Sequence, residues 1–161
     1  MPDPTLESHR QMAIHCFNKT WELMELQNRT PLQDDEMVQC VYASRYHWGK
    51  AGGPLEFARG EWQISRVMAL LNNSDLALEH ARLSLMWCEQ NQIGDFDLAF
   101  AYEAMARSYW KAGRFEEARN YLKLGNQAAE NISEAEDRDY FLKELNSIKA
   151  QVSRKFHITN T

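Results

Sequence analysis

Apolar residues recur every three or four positions along most of this chain, and the stripes they draw predict helices. Leu98, Tyr102, Met105, Tyr109 and Ala112 form one stripe, and Phe115, Ala118, Leu122, Ala129 and Ile132 form the next. Ile64, Met68 and Leu71 mark an earlier helix, and Ala77, Ala81, Leu85 and Cys88 its successor.

Turn residues cut this pattern into seven candidate helices. The first runs from about Thr5 to Gln27 and ends before Asn28-Arg29-Thr30-Pro31. The second is expected to start near Asp34-Asp35, whose carboxylates suit a helix N-terminus, and to end by Gly52-Gly53. Pro54 sits at the first turn of the third, which continues to Leu71. Asn72-Asn73-Ser74-Asp75 reads as a capped turn before a fourth helix reaching about Asn91. The fifth follows Gly94-Asp95 and reaches Ala112, where Gly113 is suited to a left-handed terminator. The sixth runs from Arg114 to about Asn131. Ser133 is expected to cap a seventh reaching Val152, with Glu134 and Glu136 in its first turn, and 153–161 reads as a frayed tail. Linkers this short force neighbouring helices to pack antiparallel. The expected fold is therefore all-α, a single domain over 1–161. It divides into helix pairs at 5–52, 54–91 and 95–131, a capping helix at 133–152 and the tail.

Composition agrees. No proline follows Pro54, and Ala, Leu, Glu, Arg and Lys dominate that region. Apolar residues make up 44% of the chain, enough for a core without disulfides or metal. Cys16, Cys40 and Cys88 are odd in number and widely spaced, so they read as reduced thiols. The start, Met1-Pro2-Asp3-Pro4, lacks the basic-then-apolar pattern of a secretory signal, and no apolar run approaches the roughly 18 residues of a membrane span. A cytoplasmic location is expected. The formal charge of −5 argues against nonspecific nucleic-acid binding.

The helix pairs repeat weakly. Tyr102-x2-Met105-Ala106-x2-Tyr109-x8-Ala118-x3-Leu122-x2-Gly125 aligns with Glu61-x2-Ile64-Ser65-x2-Met68-x8-Ala77-x3-Ala81-x2-Ser84. Small residues at matched positions (Ser65 and Ala106, Ala77 and Ala118) let paired helices approach closely. This pattern resembles the tetratricopeptide repeat. The likeness is best over Ala99–Glu130, where Tyr109-Trp110-Lys111-Ala112-Gly113-Arg114-Phe115-Glu116-Glu117-Ala118 looks like that family's helix–turn–helix corner. The copies lie 41 residues apart rather than about 34, and Glu130 replaces the family's closing proline. The resemblance implies antiparallel helical hairpins stacked as a short TPR-like right-handed superhelix, with a divergent first pair and a terminal cap.

The resemblance also implies that the first helix of each pair lines a concave surface. There Arg59, Trp62, Arg66 and Leu70 would face Phe100, Glu103, Arg107, Trp110 and Lys111, each set a single exposed row. Aromatic residues and arginine are enriched at binding hot spots. The leading expectation is thus a non-catalytic module that binds a protein or a peptide of acidic character, with self-association compatible. The family's carboxylate-clamp variant carries Lys and Asn on this face, whereas Trp62, Gln63, Glu103 and Ala104 stand there here. The alternative expectation is a small-molecule sensor or enzyme with a pocket near His47, Trp48, Arg59, Trp62 and Glu103. Ser44-Arg45-Tyr46-His47-Trp48-Gly49-Lys50 has the wrong spacing for a phosphate loop and follows a helix. His9, His15, His47, His80 and His157 lack a second ligand at metal spacing, and His80 and Cys88 lack the surroundings of a nucleophile–base pair. No catalytic residue, metal or cofactor is expected.

Overall fold

The computed structural model describes residues 1–158, and the side chains of residues 1–148. Seven helices follow one another: α1 (Leu6–Glu25), α2 (Pro31–Ala51), α3 (Pro54–Leu70), α4 (Ser74–Gln90), α5 (Asp95–Lys111), α6 (Phe115–Ala129) and α7 (Ala135–Ile158). Among the described residues there is no strand, and no helix is long and apolar enough to cross a membrane.

The ends of α2 and α7 differ from expectation. α2 starts at Pro31 rather than Asp34: the Thr30 hydroxyl accepts the Gln33 N–H, the Gln33 side chain accepts the Thr30 N–H, and Pro31 fills the first turn. Ser133 was expected to cap the last helix. Its N–H and hydroxyl instead donate to Asp95 Oδ2, which ties the start of α7 to the start of α5. α7 extends to Ile158, past the expected Val152, and 159–161 lie outside the described residues.

The chain folds back at three left-handed residues, Asn72 (φ 62°), Gln92 (φ 54°) and Gly113 (φ 75°). After each, a backbone N–H reaches back to close the helix: Asn73 to Met68, Ile93 to Cys88 and Arg114 to Tyr109, at 2.8–2.9 Å. Asn72 and Gly113 are also 41 residues apart, so the repeat extends to its turns.

Small residues set how closely the paired helices lie. Ser44 Oγ donates to the Ala13 carbonyl at 2.9 Å, joining α2 to α1. Ser84 Oγ makes the same bond to the Ala58 carbonyl at 2.9 Å, joining α4 to α3. The third pair carries Gly125 at the corresponding place, and a Cβ there would lie 3.2 Å from both Leu145 methyls of α7. Glycine makes room for α7. Within the second pair Ser65 Oγ also donates to the Ala77 carbonyl (2.7 Å), and between pairs it lies 3.3 Å from Ser108 Oγ, so α3 and α5 meet through hydroxyls rather than bulk.

α1, α3, α5 and α7 lie against one another in succession, whereas α2, α4 and α6 lie further apart, with α2 meeting α4 through the Tyr42 and His80 side chains. The odd-numbered helices therefore crowd onto one face, here termed the inner face, while the even-numbered ones splay apart on the other.

Candidate functional site

α5 is the most enclosed helix, with Ala99, Phe100, Ala101 and every residue from Glu103 to Tyr109 buried. This corrects the expectation of an exposed row. Phe100, Glu103 and Arg107 do point to the inner face, but α7 lies across it and covers them. Glu103 has no exposed surface at all, and Arg107 is 5% exposed. Arg107 Nε donates to Glu103 Oε1 at 2.6 Å, Arg66 Nη1 to the same oxygen at 3.1 Å, and Trp62 Nε1 to Glu103 Oε2 at 3.0 Å. Arg66 Nη2 reaches Glu144 of α7 at 2.8 Å, and Arg107 Nη2 reaches the Ser147 hydroxyl at 3.2 Å.

Burial alone pushes the Glu103 carboxyl up, but Arg107, Arg66 and the Trp62 N–H together hold it below the ordinary carboxylate range. Burial, with Arg66 nearby, pulls the Arg107 guanidinium down despite Glu103. For Arg66 burial acts in the same direction, but Glu103 and Glu144 outweigh it and raise its pKa. The two arginines and two glutamates form a neutral, closed network that fastens α7 to α3 and α5. They are not free to read a ligand.

Next to this network the inner face opens into a pocket of about 250 Å³. Its wall is aromatic: Phe17 and Trp21 from α1, Trp62 from α3, Phe96 and Phe100 from α5, and Tyr140 from α7. The rings brace one another, with Trp21–Trp62 centroids 5.6 Å apart, Trp62–Phe100 5.4 Å and Phe96–Phe100 4.6 Å. Ala58 and Ser84 complete the lining with Arg59 and Asp97. Arg59 Nε and Nη2 donate to the two Asp97 oxygens at 2.8 and 3.1 Å, and the Asp97 hydrogen bond raises the arginine's pKa. A shallower cleft of about 170 Å³ adjoins, lined by Ile14, Phe17, Trp48, Glu56 and Arg59.

The expected site residues thus divide. Arg59 and Trp62 line the pocket with Phe100, and Trp48 lines the adjoining cleft. His47 turns away to His9, their Nδ1 atoms 2.7 Å apart, and burial followed by the His9 charge lowers its pKa. Glu103 stands behind Trp62 rather than in the pocket. Trp110 packs edge-on to Phe115 and lines a separate cleft with Arg119 and Lys123, while Lys111 is exposed and its amine lies 3.4 Å from Asn72 Oδ1. Sequence reasoning missed Phe17, Trp21, Phe96, Asp97 and Tyr140. Phe17 with Trp21, and Phe96 with Phe100, are i,i+4 aromatic pairs, a legible signal of one face. Nothing in the sequence indicated that the two faces meet.

Another polar cluster joins α2, α3 and α4. Glu61 accepts from Arg45 Nε (2.9 Å) and lies 2.6 Å from His80 Nδ1, and His80 Nε2 lies 3.0 Å from the Tyr42 hydroxyl. None of these residues lines the inner-face pocket. Among the described residues no three His, Cys, Asp or Glu converge as a metal site. Searches of family models, curated proteins and solved structures return no match to this chain.

Proposed function

We propose that this chain is a non-catalytic, tetratricopeptide-like binding module whose inner-face pocket takes an apolar side chain of a protein or peptide partner. One observation carries the proposal: six aromatic rings from four helices surround a space that no side chain among the described residues fills. Protein interiors are packed to crystal-like density, so a void with this lining at the surface is suited to a guest. Its volume supports a side chain rather than a whole cofactor. Pockets for drug-sized ligands run from roughly 300 to 1,000 Å³, whereas a cavity of about 150 Å³ already admits benzene. The adjoining cleft shares Phe17 and Arg59 with the pocket, so an extended chain could occupy both.

The lining also supports a role without catalysis. The Ser84 hydroxyl donates to the Ala58 carbonyl, and the Asp97 carboxylate accepts from Arg59, so neither is poised as a nucleophile or base. A small-molecule ligand is the second reading, favoured by the burial of Arg66 and Arg107 against carboxylates beside the pocket.

Selection of random displayed peptides on the full chain, followed by fluorescence anisotropy, tests the proposal. Selected peptides should share a bulky apolar residue and lose at least about tenfold in affinity against Trp21→Ala, the scale of a truncated hot spot. Trp21 is half-buried and outside the ion network, so the variant should fold. Enriched peptides that bind Trp21→Ala as well as wild type would sink the proposal.

A further inference from the structure

Arg59 stands where the two clefts of the inner face meet, because it lines both. A guanidinium carries five N–H donors in a planar fork. Two of them, on Nε and Nη2, are held by Asp97. The other three have no hydrogen-bond partner among the described residues, and the side chain is 51% exposed. Asp97 therefore acts as a brace. It fixes the plane of the guanidinium, so that the free edge is oriented before any guest arrives and less side-chain entropy is lost on binding. This differs from Arg66 and Arg107, whose charges the Glu103–Glu144 network consumes.

The pocket's other lining is almost wholly apolar, so the guest must present two chemistries side by side. One is a ring or branched aliphatic group for the aromatic box. The other is an acceptor for the free N–H groups of Arg59. A planar carboxylate matches that fork best. A cationic guest is the natural competitor, because aromatic walls attract cations. It is disfavoured here because the wall presents the N–H donors of Arg59, while the nearby carboxylates are engaged, Asp97 by Arg59 and Glu56 of the adjoining cleft by the Gly53 N–H.

We propose that the pocket recognises a peptide segment in which a bulky apolar residue is adjacent to an aspartate or glutamate, with the apolar side chain among Phe17, Trp21, Trp62 and Phe100 and the carboxylate on the free edge of Arg59. This rests on the binding-module reading above and adds the specificity element. Arg59 acts as a specificity residue and the rings as the anchor site.

Two blocked tripeptides serve as probes, acetyl-Phe-Glu-Gly-amide and acetyl-Phe-Gln-Gly-amide. Their capped ends remove terminal charges, so the side-chain carboxylate is the difference between them. The five tryptophan indole N–H signals of the full chain are followed by nuclear magnetic resonance during titration. Both peptides should move the Trp21 and Trp62 signals, and the glutamate peptide should bind about threefold to fivefold more tightly, as for a partly exposed ion pair. That preference should shrink as salt is raised. In Arg59→Gln/Asp97→Asn it should vanish while the glutamine peptide binds as before. The double change is needed because Arg59→Gln alone would leave Asp97 to repel the acid. Equal affinities for the two peptides in wild type, or a preference that survives the double substitution, would overturn the role of Arg59 and leave the pocket reading standing. If neither peptide moves the Trp21 and Trp62 signals, the pocket reading itself fails.

Discussion

Glu103 is a carboxylate without solvent, and its ionisation depends on Arg66, Arg107 and the Trp62 indole. Removing it would leave two guanidinium groups buried beside the remaining Glu144. Glu103→Ala should therefore cost about 3–5 kcal/mol of stability in denaturant unfolding, the usual penalty for orphaning a buried partner. The pH dependence has a defined sign. The folded pKa lies below the unfolded value of about 4.3. The stabilisation is thus complete above that pH and is lost as pH falls through the folded value. Unfolding free energies measured from pH 6 down to pH 3 should fall more steeply in wild type than in Glu103→Gln. Parallel curves would show that the carboxylate is not held ionised. Charge reversal at Arg66 and Arg107, attractive if they lined an open groove, would test folding instead of recognition.

At the scale of elements, the hairpin turns carry the repeat as clearly as the helices do. Asn72 and Gly113 occupy the same left-handed turn, but only glycine does so without strain. Gly113→Ala should destabilise by about 1–2 kcal/mol in thermal or denaturant unfolding, because Ala must take φ near 75° there. Asn72→Gly should be neutral or stabilising, since it relieves a smaller version of the same cost. A neutral Gly113→Ala would mean that the turn can rearrange. The serine bonds across the hairpins, Ser44 to Ala13 and Ser84 to Ala58, place the first pair in register with the second although their sequences share little. At Gly125 the same place is emptied for Leu145, so the packing of α7 dictates the smallest residue beneath it.

For the whole molecule, each hairpin touches only its neighbours among the described residues, apart from α7, which packs on α5 and α6 and also reaches α3 through Glu144. Stability in such a stack is a sum of units and their interfaces. Within this chain the first pair packs only on the second, so it should open before the centre. The thiols report this. Cys88 is packed with Ala58 and Ala101 where the second pair meets the third, and burial, ahead of nearby Asp97 and Glu89, pushes its pKa up to about 12. Burial also raises those of Cys16 in α1 and Cys40 in α2, of which Cys40 is the more exposed. Only the thiolate reacts with an alkylating reagent. At pH 8 in low denaturant, mass spectrometry should find Cys40 labelled first, then Cys16, with Cys88 protected until global unfolding. Simultaneous labelling of Cys16 and Cys88 would show that the stack opens as one unit.

By itself the sequence determined the number and order of the helices, the turn at Gly113 and the alignment of the second pair with the third. These depend on local spacing, capping and backbone freedom, which residues near in the chain decide. It also placed Arg59 and Trp62 at a candidate site, since both lie on one face of a single helix. Only the tertiary structure decided that α7 crosses the inner face and buries Phe100, Glu103 and Arg107, because the exposure of a helix face depends on what packs against it. The aromatic pocket has the same origin. Phe17, Trp62, Phe96 and Tyr140 come from four helices spread over most of the chain, and helical periodicity says which residues share a face but not which faces meet.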